Sequence, residues 1–122
     1  MADFADFVAS RPTAAQQFAD ILHYTEVLCE ALDLNFRSRN NGKTDGYTFT
    51  IETARKYHKV IMTTGSGSRS IHAFVDVKTG DVYKPASFKA PAKHVRFRLL
   101  DEVSREDMLS RADWAGGYLY SR

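Results

Sequence analysis

Three histidines stand on runs of strand-type sequence: His58 in 57–64, His72 in 70–77 and His94 in 94–99. Two imidazoles and a lysine are the inventory of a metal-independent ribonuclease, one ring taking a proton and the other giving one. If the runs holding His58 and His72 pair across Gly65–Ser68, residues whose numbers sum to about 133 face each other. Tyr57 then opposes Asp76, Lys59 opposes Phe74, and His72 lies near Ile61. In that register His72, Lys59 and Asp76 share a face, and His58 falls on the other. The competing reading is three ordinary strand histidines, and it is the one preferred here. No catalytic residue is expected, with His58, His72 and His94 as the candidates a nuclease would use. His72 and Asp76 lie two pleats apart with no third ligand placed by spacing, and the chain has no C-x-x-C. Neither a metal nor a cofactor is expected.

The stronger signal is positive charge. The net charge is only +2, from 17 bases and 15 acids, but it is unevenly laid out. Residues 1–34 carry one base against six acids, residues 35–98 thirteen bases against four acids, and residues 99–122 three bases against five acids. Such blocks bear on partners rather than on fold. Within the basic block the candidate ligand-binding residues are Lys59, Arg69, Lys84, Lys89, Lys93, Arg96 and Arg98. Tyr57, Phe74, Tyr83, Phe88 and Phe97 interleave with them. Lysine and arginine neutralise phosphate, and exposed rings on a sheet stack bases. Alternation in 94–99 puts Val95, Phe97 and Leu99 on one side and His94, Arg96 and Arg98 on the other. The segment 83–93, held by Pro85 and Pro91, reads as a basic binding loop or a plain connection. The run Thr64–Ser70 lacks both G-x-x-x-x-G-K-[ST] and G-x-G-x-x-G and reads as a hairpin loop.

The elements that must position these residues follow from periodicity. Phe18, Ile21, Leu22, Thr25, Leu28, Cys29 and Leu32 recur at three- and four-residue steps, which predicts an amphipathic helix over 13–34 capped by Ser10 or Thr13. Cys29 falls on its apolar face and reads as a small buried hydrophobe. A helical turn over 2–9 can precede it. Nothing from Leu34 to Gly42 continues the pattern. Strands are expected over 47–53, 57–64, 70–77, 81–84 and 94–99, with Gly80 taking positive φ in a tight turn and the two prolines preventing pairing across most of 85–92. Whether 54–56 separates the first two strands is open. Ser104 and Asp107 suggest a cap for a short helix over 104–112 that faces Met108, Leu109 and Ala112 inward. Residues 114–120 form a turn and a short terminal strand or aromatic tail.

The sum is a single α+β domain over 1–122: an N-terminal helix packed on an antiparallel β-meander of four to five strands, then a short C-terminal helix. The second face of the sheet is expected to meet solvent. The size excludes a multidomain enzyme, and the composition excludes a coiled coil or a collagen-like repeat. No apolar run reaches the roughly 18–20 residues of a membrane span, so no membrane partner is expected. The acidic opening, Met1 to Asp6, lacks the features of a signal peptide and predicts a cytoplasmic setting.

From Ser70 to Phe97 the string S-I-H-A-F-V-D-x-x-T-G-D-V-Y-K-P-A-S-F-K-A-P-A-K-x-V-R-F resembles a module of small bacteriophage proteins of unassigned function. There, S-x-H-x-F leads into G-D-x-x-K-x-A-S-W-K-A-P-A; here Phe88 stands in the place of the tryptophan. The resemblance implies a phage-like source, hence a host cytoplasm, and assigns no activity. Charge pattern and resemblance together predict a small viral, non-enzymatic protein that contacts nucleic acid or another phosphorylated ligand through its basic strands and loop. The alternatives are a host-directed or anti-defence protein that binds a host protein or a nucleotide signal, and a small nuclease. The acidic helix can also dock on the basic sheet of a second copy, giving a homo-oligomer.

Overall fold

A computed structural model describes residues 13–40 and 46–120. Helix α1 spans Ala14–Arg39, 26 residues. Thr13 caps it, its hydroxyl accepting from the Gln16 N–H at 3.0 Å. Ser10, the predicted turn over 2–9 and Asn41–Gly42 lie outside the described residues. The helix runs past the predicted end at Leu34 because Phe36 extends the buried stripe of Ile21, Thr25, Leu28, Cys29 and Leu32 by one more four-residue step. Asn40 ends it, its backbone N–H and side-chain amide both donating to the Phe36 carbonyl. Cys29 is buried among apolar neighbours and close to Glu26 and Glu30, and its thiol is pushed up to about 12, so it stays protonated and inert.

Five antiparallel strands follow in simple meander order: β1 (Thr48–Thr53), β2 (Tyr57–Thr63), β3 (Arg69–Asp76), β4 (Asp81–Pro85) and β5 (Pro91–Arg98). Residues 54–56 break β1 from β2 in a turn closed by the Ala54 N–H on the Tyr57 carbonyl. The β3–β4 turn is tied by Asp76, whose carboxylate accepts from the N–H groups of Lys78 and Thr79, with Gly80 at φ 75° as its residue type allows. Residues 64–68 form the hairpin loop expected of them, with the Gly67 N–H on the Thr64 carbonyl. β5 starts three residues earlier than predicted, since Pro85 and Pro91 face each other at the mouth of the β4–β5 hairpin and leave only 86–90 as its tip. Helix α2 (Glu102–Arg111) is capped by Asp101, and the Ser104 hydroxyl instead accepts from the Arg98 N–H. Met108 is buried, with Leu109 and Ala112 packed beside it, as expected. The terminal segment forms no strand; it closes in a 3₁₀ turn at Gly117–Leu119.

The ladder slips three times, once between β2 and β3 and twice between β4 and β5, the last of these between Tyr83 and Pro85. The β2–β3 pairs Tyr57–Asp76, His58–Val75, Lys59–Phe74 and Val60–Ala73 follow the predicted register, but Ile61 then faces Ile71. His72 is left over as a bulged residue. Between β4 and β5, Val82 faces Phe97 and Tyr83 faces Val95, which leaves out Arg96. A bulge breaks strict alternation and re-aims a side chain.

The sheet buries residues on both faces. On the helix side, Val60, Ala73, Val75, Val82 and Phe97 join Ile21, Leu28, Leu32, Leu99 and Met108 in one core. On the opposite side Ile61 and Phe74 are also fully buried, outside that core. The expectation of an open second face is therefore corrected. The tip of the β4–β5 hairpin folds back across that face far enough to bring the Phe88 ring within 5.4 Å of Lys59 Nζ, two strands away on β2. Removing Phe74 therefore opens a cavity. Phe74→Ala is expected to lower unfolding stability by about 3–5 kcal/mol, on the scale of Leu28→Ala at about 2–5 kcal/mol. Urea unfolding of the two variants checks this; a loss below about 0.5 kcal/mol for Phe74→Ala is what a water-facing ring gives.

Candidate functional site

The three histidines have three different surroundings. His58 is fully buried beneath α1, with the Phe18 ring 5.7 Å away and its Nδ1 2.8 Å from the Thr53 hydroxyl. Its Nε2 has no hydrogen-bond partner among the described residues. His72 does not share a face with Lys59 and Asp76. The β2–β3 bulge carries its ring to the helix side, against Phe49 at 5.6 Å, where Nε2 sits 2.8 Å from the Tyr118 hydroxyl. His94 is exposed on β5, at a groove of about 620 Å³ that it lines with Arg96, Arg111, Tyr118 and Tyr120. An acid–base pair needs two imidazoles within hydrogen-bond reach of one substrate. The three strand histidines offer none: the His58 ring is sealed in the core, the His72 ring is bound to a tyrosine, and His94 lies apart from both.

The seven predicted bases also divide. Arg96 does not project beside Arg98, because the second bulge turns it back. Its Nε donates to the Leu119 carbonyl at 2.6 Å and a terminal nitrogen to the His94 carbonyl at 2.7 Å, so it binds the chain's own C-terminal segment. Arg69 pairs with Glu52 at 2.7 Å on the neighbouring edge. Arg98 lies 3.9 Å from Asp81 but leaves two-thirds of its side chain exposed, and such a surface pair is weak. Lys84 stands over the Tyr120 ring at 4.4 Å, on the helix side of the sheet.

Lys59, Lys89 and Lys93 form the group that remains available. Every ion pair among the described residues uses an arginine: Arg37–Asp33, Arg69–Glu52, Arg98–Asp81 and Arg111–Asp107. No described lysine has a carboxylate within 4.0 Å. Lys59 is held between two rings, with Nζ 6.0 Å from the Phe74 centroid and 5.4 Å from that of Phe88. Phe88 is 45% exposed. It rides on a tip built for rigidity: the Ala86 and Ser87 N–H groups both donate to the Ala90 carbonyl, and the Ser87 hydroxyl accepts from the N–H groups of Lys89 and Ala90. Lys89 on the tip and Lys93 just beyond it are both exposed. The result is a fixed aromatic ring beside the Lys59 ammonium group, with exposed Lys89 and Lys93 on the same hairpin and none of the three ion-paired among the described residues.

Sequence reasoning assigned no role to the residues that make the other built feature, the C-terminal segment 113–120. Asp113 ties it, one carboxylate oxygen accepting from the Ala115 N–H and the other from the Gly117 N–H. The Trp114 N–H reaches back to Asn35 on α1 at 3.1 Å. The signal available was the cluster of Trp114, Tyr118 and Tyr120 around a Gly-Gly pair, read only as an aromatic tail.

The fold and site define an α+β domain in which one helix covers a five-stranded meander and a proline-bounded hairpin covers the other face. The chain belongs to the family described as "Family of unknown function (DUF7717)", whose model matches residues 4–121. No curated protein and no solved structure matches it. No described helix is long and apolar enough to cross a membrane.

Burial holds His58 and His72 in the neutral form. Both pKa values are lowered by desolvation, that of His72 to about 4 from 6.5, with the negative charge of Asp113 opposing the shift but outweighed. Below pH 6.5 the unfolded chain takes up protons that the folded chain refuses. Stability is therefore complete above that pH and lost as pH falls toward the folded value, by up to about 1.4 kcal/mol per pH unit for each such histidine. The urea midpoint is expected to fall between pH 7 and pH 4.5, and His72→Gln to flatten that fall relative to the parent chain. Equal slopes in the two proteins count against a buried neutral His72.

Proposed function

We propose that this is a small viral, phage-like, non-enzymatic protein that binds single-stranded nucleic acid through the outer face of its sheet and the β4–β5 hairpin. The observation that carries this reading is the exposed Phe88 ring fixed 5.4 Å from Lys59 Nζ, with exposed Lys89 and Lys93 on the same hairpin and no carboxylate within 4.0 Å of these lysines among the described residues. Single-strand binders combine cations that follow the backbone with rings on which bases stack. Duplex readout asks for a helix or ribbon that enters a groove, and a short tip lying flat on a sheet supports it less well. The phage-like origin rests on the Ser70–Phe97 resemblance, within which this hairpin is the most distinctive stretch.

Fluorescence anisotropy with a labelled single-stranded oligonucleotide of about 10 nucleotides tests the reading. Binding at about 50 mM salt should weaken as salt rises, and Lys59→Ala should lower the slope of log affinity against log salt by about one. Phe88→Ala should weaken single-strand binding about tenfold or more through lost stacking, with little change in the salt slope. No binding of DNA or RNA at about 50 mM salt ends the proposal.

A further inference from the structure

A second site lies on the opposite side of the sheet. Where the β2–β3 and β4–β5 ends meet the C-terminal segment, a cavity of about 300 Å³ is walled by Tyr47, Trp114 and Tyr120, with Ser70, His72 and Lys84 among its polar lining. That volume is at the lower end of small-molecule sites, about 300–1,000 Å³. The aromatic walls are braced. Tyr47 meets Trp114 edge to face at 5.1 Å, and Phe36 stacks behind Tyr47 at 4.7 Å. Lys84 Nζ stands at the mouth, 4.4 Å from the Tyr120 ring and without a carboxylate partner among the described residues.

His72 makes this more than a crevice. The residue is only 7% exposed, and Nε2 is committed to the Tyr118 hydroxyl at 2.8 Å. Nδ1 has no hydrogen-bond partner among the described residues and lies on the ring edge that faces Gly116, another lining residue. Gly116 holds φ at 87°, and a β-carbon there would lie 3.6 Å from His72 Cε1 and 3.9 Å from Nδ1. The loop thus passes the imidazole edge without covering it. Nδ1 is not one of the sealed polar atoms, so water reaches it, and a ligand's polar group can take that water's place.

We propose that this cavity binds a small heteroaromatic anion of the nucleoside monophosphate type. Its flat ring lies among Tyr47, Trp114 and Tyr120, a ring nitrogen or exocyclic group meets His72 Nδ1, and the phosphate meets Lys84. A plain hydrocarbon ring leaves Nδ1 unpaired, and a bare phosphate leaves the aromatic walls unused. The neutral state of the buried His72 suits it to a ring edge rather than to the phosphate, which falls to the ammonium group. This site is separate from the Phe88 platform and stands or falls apart from it.

Trp114 is the chain's only tryptophan, so its emission reports on the cavity directly. The full chain is titrated with AMP, GMP, CMP and UMP in turn, and with adenosine and inorganic phosphate as separate probes. At least one monophosphate should give a saturable change in Trp114 emission below about 1 mM, with adenosine weaker and inorganic phosphate giving none in that range. Lys84→Met, a partly exposed position that leaves the core intact, should weaken the monophosphate about tenfold and leave adenosine nearly unchanged. Phe88→Ala should leave both titrations as they are. No saturable change with any of the four up to about 10 mM overturns the proposal. So does a response that inorganic phosphate reproduces, or one that survives Lys84→Met undiminished.

Discussion

Two slips in strand register hold the C-terminal segment to the sheet, and much of the remaining architecture depends on that attachment. At each of these two the ladder leaves out one polar residue, His72 on β3 and Arg96 on β5. Both side chains then reach the same short stretch of chain, His72 the Tyr118 hydroxyl and Arg96 the Leu119 carbonyl. A regular sheet would have pointed both residues at the opposite face. Leu119 is fully buried and Tyr118 nearly so, and a 3₁₀ turn alone is too short to dock on apolar contact. A hydrogen bond made in a low-dielectric setting, with its partner already fixed by the sheet, supplies the missing specificity. The bulges are thus devices that catch the end of the chain, and the aromatic-walled cavity exists because the caught segment forms its roof.

The same constraint sorts the positive charge. Read as a sequence, the basic block is a string of equivalent cations. In the fold, the arginines are mostly spent on structure: Arg69 on an edge-strand carboxylate, Arg105 on the Leu99 carbonyl and the Tyr24 ring, Arg96 on the terminal segment. The lysines are left facing outward, several beside rings. This matches the chemistry of the two groups. A planar guanidinium with five donors suits fixed carbonyl and carboxylate partners, whereas an ammonium on a flexible stem suits a partner that arrives from solution. The acidic residues of α1 do not neutralise these lysines within the chain. Among the described residues the one ion pair on that helix is its own, Asp33 with Arg37.

How much of this the sequence showed depends on whether a feature was periodic. The helix, the strand order, the turn at Gly80 and the first four pairs of the β2–β3 register all follow from regular spacing of apolar and turn residues. The end of α1 was misjudged because a lone Phe36 after polar Asn35 looks like a loop aromatic; only its four-residue step from Leu32 betrays it. The bulges left no local mark. His72 sits in flawless β-type sequence, and Arg96 in flawless alternation, so counting by twos assigned both to the wrong side. What fixes them is contact with residues at 118 and 119, a long-range term absent from any window. The buried outer face was missed for a related reason. The long helix covers only one side of the sheet, which reads as an open second face, and a five-residue hairpin tip gives no sequence signal of a covering element.

Geometry also tells against a histidine nuclease. Three histidines on three strands of one sheet give the composition of an acid–base pair, but function needs two rings that titrate within reach of one phosphate. Burial keeps two of them neutral and hands each a neighbouring hydroxyl, Thr53 for His58 and Tyr118 for His72. A hydroxyl neighbour fixes a ring in place but lends it no negative charge, so it does not offset desolvation as a carboxylate in contact would. Asp113, the one acid that raises His72 at all, spends its oxygens on the backbone of its own loop. The imidazoles therefore serve as fixed hydrogen-bonding surfaces, and this is the property that a cavity for a neutral ring edge uses and a proton-transfer site does not.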